Sequence, residues 1–145
     1  MIRAEPFDPE AELARFRAGA SGAGAIASFT GLVRAECETL TLETHPGLGE
    51  PMLAAFAAET RARFELLDLL ILHRIGRMAP GEPIVLVAAA AAHRKEALAA
   101  VDWAMDWLKS QAPFWKLEEQ AGQRRWIEPR AEDYAALAAW QEKPR

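Results

Sequence analysis

The sequence has little cysteine, no long apolar run and no excess of positive charge. Cys37 is the only cysteine among 145 residues, which excludes an internal disulfide and every zinc motif built on paired thiolates. The longest apolar stretch, Ile84 to Ala92, is about half as long as a membrane-spanning helix. The formal net charge of -4 gives the chain as a whole no attraction for nucleic acid or anionic membranes. Any anion-binding site must therefore be local.

The N-terminal segment MIRAEPFDPE lacks the features of a signal peptide, because acids and proline replace a basic stretch followed by an apolar run. Together with the single cysteine, this leads us to expect a reducing, cytoplasmic setting. The length is ordinary for one domain, no repeat or linker is visible, and 51% of the residues are apolar. We therefore expect residues 1–145 to form a single domain.

Hydrophobic periodicity predicts several helices and strands of mixed order. The predicted helices cover 9–18, 51–64, 93–110 and 131–141, and the predicted strands cover 25–33, 39–43, 66–75 and 84–92, followed by a hairpin of 114–118 and 125–128. Helices and strands do not alternate as they do in a doubly wound sheet. We predict an α+β fold, with a mostly antiparallel sheet and packed helices.

The helix predicted over 93–110 begins with two cations, Arg94 and Lys95, where the helix dipole repels positive charge. Solvent exposure beside Glu96 is one explanation, at a cost of about a few tenths of a kcal/mol. The alternative is an anion bound at the helix start by backbone N–H groups, His93 and Arg94. Spacing alone slightly favours exposure and leaves both explanations open.

Two lysines lie at the other end of this helix. Lys109 is in its last turn, where a cation by default satisfies the helix dipole. Lys116 follows a Pro113-Phe114-Trp115 turn and would share a strand face with Phe114. If the two lysines lie close together, their repulsion lowers the pKa of one toward a value useful for proton transfer.

The helix is also apolar on two sides. Leu98, Val101, Met105 and Leu108 form one stripe, and Trp103 and Trp107 form a second. A helix covered on both sides by its own domain explains this pattern, and we prefer that interpretation. A partner-facing aromatic patch is the alternative.

Neither metal nor thiol chemistry is indicated. Glu36 and Glu38 flank Cys37 and oppose thiolate formation, so this cysteine is a poor nucleophile. His45 and His73 have no histidine or carboxylate at a helical i, i+4 offset. The glycines form no phosphate-binding motif. We therefore predict neither a metal site nor a cofactor.

Several motifs nevertheless occur in order over most of the chain. They are FTGLVR, LTLETHPG, LHRIG followed by PGE, AAHR, LKSQAPFWK and RWIEPR. The most specific is PFWK, whose lysine follows a helical lysine by seven residues, after an Ala-His-Arg helix start. In this combination the sequence resembles the MoaE family.

The resemblance implies an α/β-hammerhead-like fold and a sulfurtransferase. Such an enzyme inserts two sulfurs into cyclic pyranopterin monophosphate (precursor Z) and forms the dithiolene of molybdopterin. A small ubiquitin-like carrier subunit would deliver each sulfur as a thiocarboxylate on its C-terminal Gly-Gly tail. The expected assembly is a homodimer at the centre of a heterotetramer. A chain with one poorly activated cysteine fits this scheme, because the partner supplies the sulfur.

The resemblance also assigns site residues. Lys109 and Lys116 match the active-site lysines of the family. The residues that match substrate-binding positions are Leu32, Val33, Arg34, His93, Arg94, Lys116, Leu117, Glu118 and Arg130. Leu32 stands where a lysine is frequent in the family, which predicts a different pocket rim.

Helix length adds a constraint on this site. Arg94 and Lys109 are fifteen residues apart on one helix, which separates their backbones by roughly 22 Å. One small pocket does not span that distance. We therefore predict that the site is shared, with His93 and Arg94 supplied by the opposite subunit of the dimer.

Two other classes of protein compete with an enzyme. One is a non-catalytic phosphate- or nucleotide-binding module, which would bind the precursor without converting it. The other is a scaffold whose role is the carrier interaction itself, which would bind the carrier independently of Lys116.

Overall fold

The structure is a computed structural model that describes residues 1–36, 38–45 and 47–142, the side chains of 141 and 142 excepted. Four helices and eight strands occur in these ranges. In chain order they are β1 (Ile2–Arg3), α1 (Pro9–Gly19), β2 (Ala25–Leu32), β3 (Thr39–Thr44), α2 (Gly49–Arg63), β4 (Asp68–Arg74), β5 (Gly76–Met78), β6 (Pro83–Ala91), α3 (Arg94–Ser110), β7 (Phe114–Gln120), β8 (Gln123–Ile127) and α4 (Ala131–Glu142).

The strands form two four-stranded sheets. The first has the order β1-β4-β6-β2, in which only the β1–β4 pair is parallel. The second has the order β5-β3-β7-β8 and is antiparallel throughout. The prediction of an α+β fold with mostly antiparallel pairing and packed helices is confirmed.

The central strand β6 has helices on both faces. Val87 and Ala89 belong to the main core cluster with Ala100 and Ala104 of α3. The alternate residues point the other way, and Ala88 packs in a cluster with Phe16 of α1. Successive strand residues face opposite sides of a sheet, so a strand buried on both faces has no polar position. The alanines also let the helices approach the sheet closely.

Helix α3 is covered on both sides, as predicted. One side packs against β2 and β6, and the other against α2 and α4. Phe56 of α2 stacks on Trp107 with ring centroids 4.0 Å apart, and Trp103 meets Trp140 of α4 edge-on at 5.9 Å. Trp103 and Trp107 are therefore part of the core. Leu98 was predicted to belong to a covered apolar stripe of this helix, and that prediction is wrong because Leu98 is 60% exposed.

Short strands account for the main differences from the predicted elements. The strand expected over 66–75 ends at Arg74, because Gly76 with φ of 96° turns the chain into β5 of the second sheet. Strands of two or three residues, such as β1 and β5, carry no readable periodicity. The closing hairpin is confirmed, with Ala121 and Gly122 at its turn. None of the helices in the described ranges is long and apolar enough to cross a membrane.

Candidate active site

A pocket of about 380 Å³ lies where the C-terminal end of α3, the second sheet and the start of α4 meet. This volume is in the range of small-molecule sites. The residues that line it are Leu32, Arg34, Leu40, Ile84, Leu108, Lys109, Ser110, Ala112, Phe114, Lys116, Glu118, Ile127, Glu128, Pro129, Arg130, Glu132 and Asp133. The pocket lining therefore combines apolar side chains with charged side chains of both signs.

The two lysines reach this pocket from different elements. Lys109 is an exposed residue in the last turn of α3. Lys116 is a half-buried residue of β7, where it pairs with Leu42 on one side and Ile127 on the other. Because strand residues alternate, Phe114 lines the same pocket while Trp115 faces away and is exposed. The turn between α3 and β7 thus brings both amines to one cavity.

The pKa of Lys116 is lowered, first by burial and then by the nearby charge of Lys109, with a smaller contribution from Arg34. The carboxylates of Asp133 and Glu118 oppose this shift. Among the residues that the structure describes, neither lysine forms an ion pair within 4.0 Å. The condition stated for the two lysines is therefore met, and the expected lowering of one pKa is present. A half-buried amine with a lowered pKa is suited to proton transfer.

The similarity to known proteins covers nearly the whole chain. The family model described as MoaE protein matches residues 2–111. The molybdopterin synthase catalytic subunit of Cereibacter sphaeroides is 50% identical over 97% of this chain and 98% of its own length. That of Pseudomonas aeruginosa is 46% identical over 97% of each chain. The solved MoaE protein of Burkholderia ambifaria superposes with a TM-score of 0.84 at 42% identity, over 98% of this chain and 97% of that one.

The chain belongs to the MoaE family. The family resemblance expected from the motifs is therefore confirmed. Lys109 lies inside the part matched by the family model, whereas Lys116 and Arg130 lie beyond it. The relatives extend over these residues as well, because they match 97% of the chain.

The pocket contains most of the residues expected for a MoaE family site. Besides the lysines, the predicted residues that line it are Leu32, Arg34, Glu118 and Arg130. Val33 and Leu117 do not line it, because their side chains are buried, at 3% and 5% exposure. Val33 packs with Leu40 and Leu42 instead. The main chain of Val33 is also engaged, because its N–H donates to the carbonyl oxygen of Glu82 and its carbonyl oxygen accepts from the N–H of Gly81. The substrate contacts expected for Val33 and Leu117 stay a prediction.

His93 and Arg94 lie at the opposite end of α3 from this pocket. Both are exposed, and His93 occupies the N-cap position without a capping side-chain hydrogen bond. The helix of 17 residues is about 25 Å long, so it holds them far from Lys109. One chain thus brings together four of the six predicted basic residues. The assignment of His93 and Arg94 to a partner's site stays a prediction.

Acidic side chains are the part of the pocket that the sequence did not indicate. Glu128, Glu132 and Asp133 line it beside the cations. The start of α4 was predicted at Ala131, but nothing in the sequence indicates that this helix packs against α3. Without that packing, Glu132 and Asp133 are interpreted as ordinary surface charges of a first helical turn, and Glu128 as a surface charge of the preceding loop.

His73 lies behind the pocket wall and is not a ligand in it. The residue is buried, and its Nδ1–H donates to the carbonyl oxygen of Arg74 at 2.9 Å. Burial lowers its pKa to about 4, so the ring is neutral at pH 7. Within the described ranges no group of three His, Cys, Asp or Glu is arranged to bind a metal. Cys37, predicted to be unreactive, lies outside the described residues.

Proposed function

We propose that this chain is the catalytic subunit of a molybdopterin synthase. It inserts two sulfurs into cyclic pyranopterin monophosphate, each delivered by a thiocarboxylated small carrier protein, and forms the dithiolene of molybdopterin. The observation that carries the proposal is the single pocket in which Lys109, Lys116, Arg34 and Arg130 meet. The names of the relatives at 46–50% identity support the same activity.

The pocket chemistry fits a phosphate-bearing substrate attacked by a sulfur anion. The guanidinium groups of Arg34 and Arg130 bind phosphate and pterin oxygens, because planar N–H donors match such oxygens well. Glu118 lies beside them and contacts the polar edge of the pterin. Leu32 adds an apolar contact, and the buried Val33 and Leu117 support this surface from behind. The two arginines thus hold the phosphate end of the substrate in one position.

The lysines act where the sulfur arrives. The amine of Lys109, at the exposed mouth of the pocket, positions the carrier's thiocarboxylate. Lys116 lies deeper and its pKa is lowered by burial and by Lys109, so it gives up its proton more readily than an ordinary lysine during sulfur attack and opening of the cyclic phosphate. Both cations also stabilise the negative charge that develops on oxygen. We therefore assign the catalytic roles to these two residues and describe the enzyme as a sulfurtransferase.

The active unit is a homodimer with a carrier subunit at each end, in the cytoplasm, and each chain contributes one domain. His93 and Arg94 of one subunit complete the anion site of the other. The support for this sharing is distance, because one rigid helix separates Arg94 from Lys109. The single cysteine supports the reducing compartment.

Reconstitution tests the proposal directly. Purified protein is mixed with thiocarboxylated carrier and precursor, and the product is followed through its fluorescent oxidation derivative. We expect conversion by the unchanged protein and its loss in Lys109→Ala and Lys116→Ala. Arg17→Ala is the matched control, because Arg17 is also an exposed cation in a last helical turn, on α1 and away from the pocket. Full conversion by either lysine variant contradicts the assignment of roles.

The same assay separates the competing classes of function. Binding of the precursor without dithiolene formation indicates a binding module. Tight carrier binding that is unchanged in Lys116→Ala, again without product, indicates a scaffold.

A further inference from the structure

Asp133 lies in the pocket, in the first turn of α4, and its orientation is fixed by two hydrogen bonds. Its carboxylate Oδ2 accepts the backbone N–H of Arg130 at 2.9 Å. Its own backbone N–H donates to the carbonyl oxygen of Arg130, also at 2.9 Å. The side chain is half-buried, unlike that of the neighbouring Glu132. The carboxylate is therefore placed by the backbone of the pocket wall.

The far end of α4 is anchored to the helix that carries Lys109. The indole Nε1–H of Trp140 donates to Oδ2 of Asp106 at 2.6 Å, and Arg63 donates to the carbonyl oxygen of Trp140 at 2.8 Å. Asp106 precedes Lys109 by one helical turn on α3. These contacts fix the end of α4 against α3, the helix that carries Lys109.

The other acids near Lys116 are partly neutralised by their own partners. Glu118 forms an ion pair with Arg125 at 3.6 Å, and Glu132 forms one with Arg130 at 3.2 Å. In the described part of the chain Asp133 forms no ion pair within 4.0 Å. Glu128, which also lines the pocket, forms none either, but of these two acids only Asp133 raises the pKa of Lys116. Asp133 is therefore the acid without an ion pair that acts on Lys116.

The charges that face Lys116 come from every element around it. They are Lys109 of α3, Arg34 after β2, Glu118 of β7 and Asp133 of α4, with Glu128, Arg130 and Glu132 elsewhere in the pocket lining. The titratable His73 of β4 also lies near Lys116 but is neutral at pH 7. Removal of the carboxylate charge of Asp133 leaves the two cations Lys109 and Arg34 opposed mainly by Glu118. The protonation of Lys116 depends on this balance.

We propose that Asp133 is a positioning residue for Lys116: helix α4 holds its carboxylate in the pocket as the acidic counter-charge of the reactive amine. The inference rests on the proposed function, because it takes Lys116 as the proton-exchanging group. It extends the site to a residue and a helix with no assigned role. Asp133 acts through Lys116 and need not touch the substrate.

Competitive acylation tests the proposal without turnover. The free protein is labelled over a pH series with a trace amount of an amine-reactive anhydride, and modification of Lys116 is quantified by peptide mass spectrometry. Loss of a negative charge disfavours the ammonium form, so in Asp133→Asn the labelling midpoint of Lys116 moves to lower pH. The asparagine retains an oxygen that accepts the Arg130 N–H, which separates charge from geometry.

Two further variants complete the experiment. Asp102→Asn removes one carboxylate from an exposed position of α3 outside the pocket and is expected to leave the midpoint unchanged. Asp133→Glu keeps the charge and is expected to hold the midpoint near that of the unchanged protein. An unchanged midpoint in Asp133→Asn, or the same shift in Asp133→Glu, overturns the proposal, and circular dichroism verifies the fold of each variant.

A second measurement links the residue to turnover. In the reconstituted assay, one limb of the kcat–pH profile reports the ionisation of Lys116. In Asp133→Asn that limb moves to lower pH, and the direction is the same whether Lys116 serves as the acid or as the base. A uniform fall in kcat without a shift of that limb indicates a structural role and contradicts the proposal. If no dithiolene forms even with the unchanged protein, the proposed function fails while the labelling result still decides the role of Asp133.

Discussion

The ring of His73 stacks on the ring of Phe114, with centroids 4.0 Å apart and planes inclined by 13°. His73 belongs to the first sheet, and Phe114 begins the strand of the second sheet that carries Lys116. Phe114 also lines the pocket. The stacked pair therefore joins the two sheets directly behind the reactive amine.

The burial of His73 in this contact makes the stability of the protein sensitive to acid. Burial lowers the pKa of His73 from 6.5 to about 4, with a further contribution from Lys116, although the Arg74 hydrogen bond opposes it. The unfolded chain then binds one proton more than the folded chain between these two pH values. Stability is lost as the pH falls from about 6.5 to about 4, by roughly 2–4 kcal/mol from this residue.

Replacement of His73 removes that dependence. In His73→Phe the free energy of unfolding falls by about 1 kcal/mol at pH 7, because the Arg74 carbonyl loses its donor. Between pH 6.5 and 4.5 it declines less steeply than in the unchanged protein. Urea unfolding at several pH values measures both effects. His45→Phe, at an exposed position, is the control, and an equally steep decline in His73→Phe contradicts the prediction.

The second prediction concerns the repulsion between the lysines. Lys109→Met removes a nearby positive charge and raises the pKa of Lys116, so the midpoint of Lys116 acylation moves to higher pH. This is the direction opposite to that expected for Asp133→Asn. Lys95→Met is the matched control, because Lys95 lies in the first turn of the same helix. Equal midpoints in the two methionine variants mean that the charge of Lys109 does not lower the pKa of Lys116 and contradict the prediction.

The sequence pattern indicated those parts of the site whose helix and strand follow each other directly along the chain. Periodicity placed Lys109 at the end of a helix and Lys116 on the next strand, one short turn away, and the family resemblance named them as a pair. The position of Asp133 depends instead on the contact between Trp140 and Asp106, 34 residues apart in the chain. No periodicity encodes a contact of that range. Glu118 was named from the family resemblance, but the presence of Glu128, Glu132 and Asp133 in the pocket became visible only in the structure.

The same distinction explains the differences in the fold. The long helices and β6 have enough residues for an apolar pattern to emerge, and their bounds agree with the predicted ones to within two residues. Strand β5 is three residues long and exists because Gly76 turns the chain away from the first sheet. The exposure of Leu98 is likewise decided by which elements cover α3. These features depend on tertiary packing more than on local pattern.

The third prediction tests the shared active site by complementation. Arg94→Ala and Lys116→Ala subunits are each inactive as homodimers if both residues are required. Mixing them after subunit exchange gives dimers in which one site carries both changes and the other carries neither. Random pairing then restores about a quarter of the unchanged activity. No recovery, with exchange verified by native mass spectrometry, indicates that one chain supplies both residues.

The fourth prediction concerns the anchor of α4. Trp140→Phe keeps an aromatic ring against Trp103 and Phe64 but removes the hydrogen bond to Asp106. A bond to a charged, partly buried acceptor makes this loss worth about 1–2 kcal/mol in the free energy of unfolding. Local opening of α4 also becomes easier, so its amides exchange faster than those of α3.

Thermal unfolding and hydrogen exchange measured by mass spectrometry check the two parts of this prediction. Trp126→Phe is the matched control, because Trp126 is 57% exposed and its replacement is expected to change stability by less than about 0.5 kcal/mol. Equal stability of the two variants means that the indole hydrogen bond contributes nothing to the docking of α4. Faster exchange confined to α4, together with a lower acylation midpoint of Lys116, means that this helix presents Asp133 to the site.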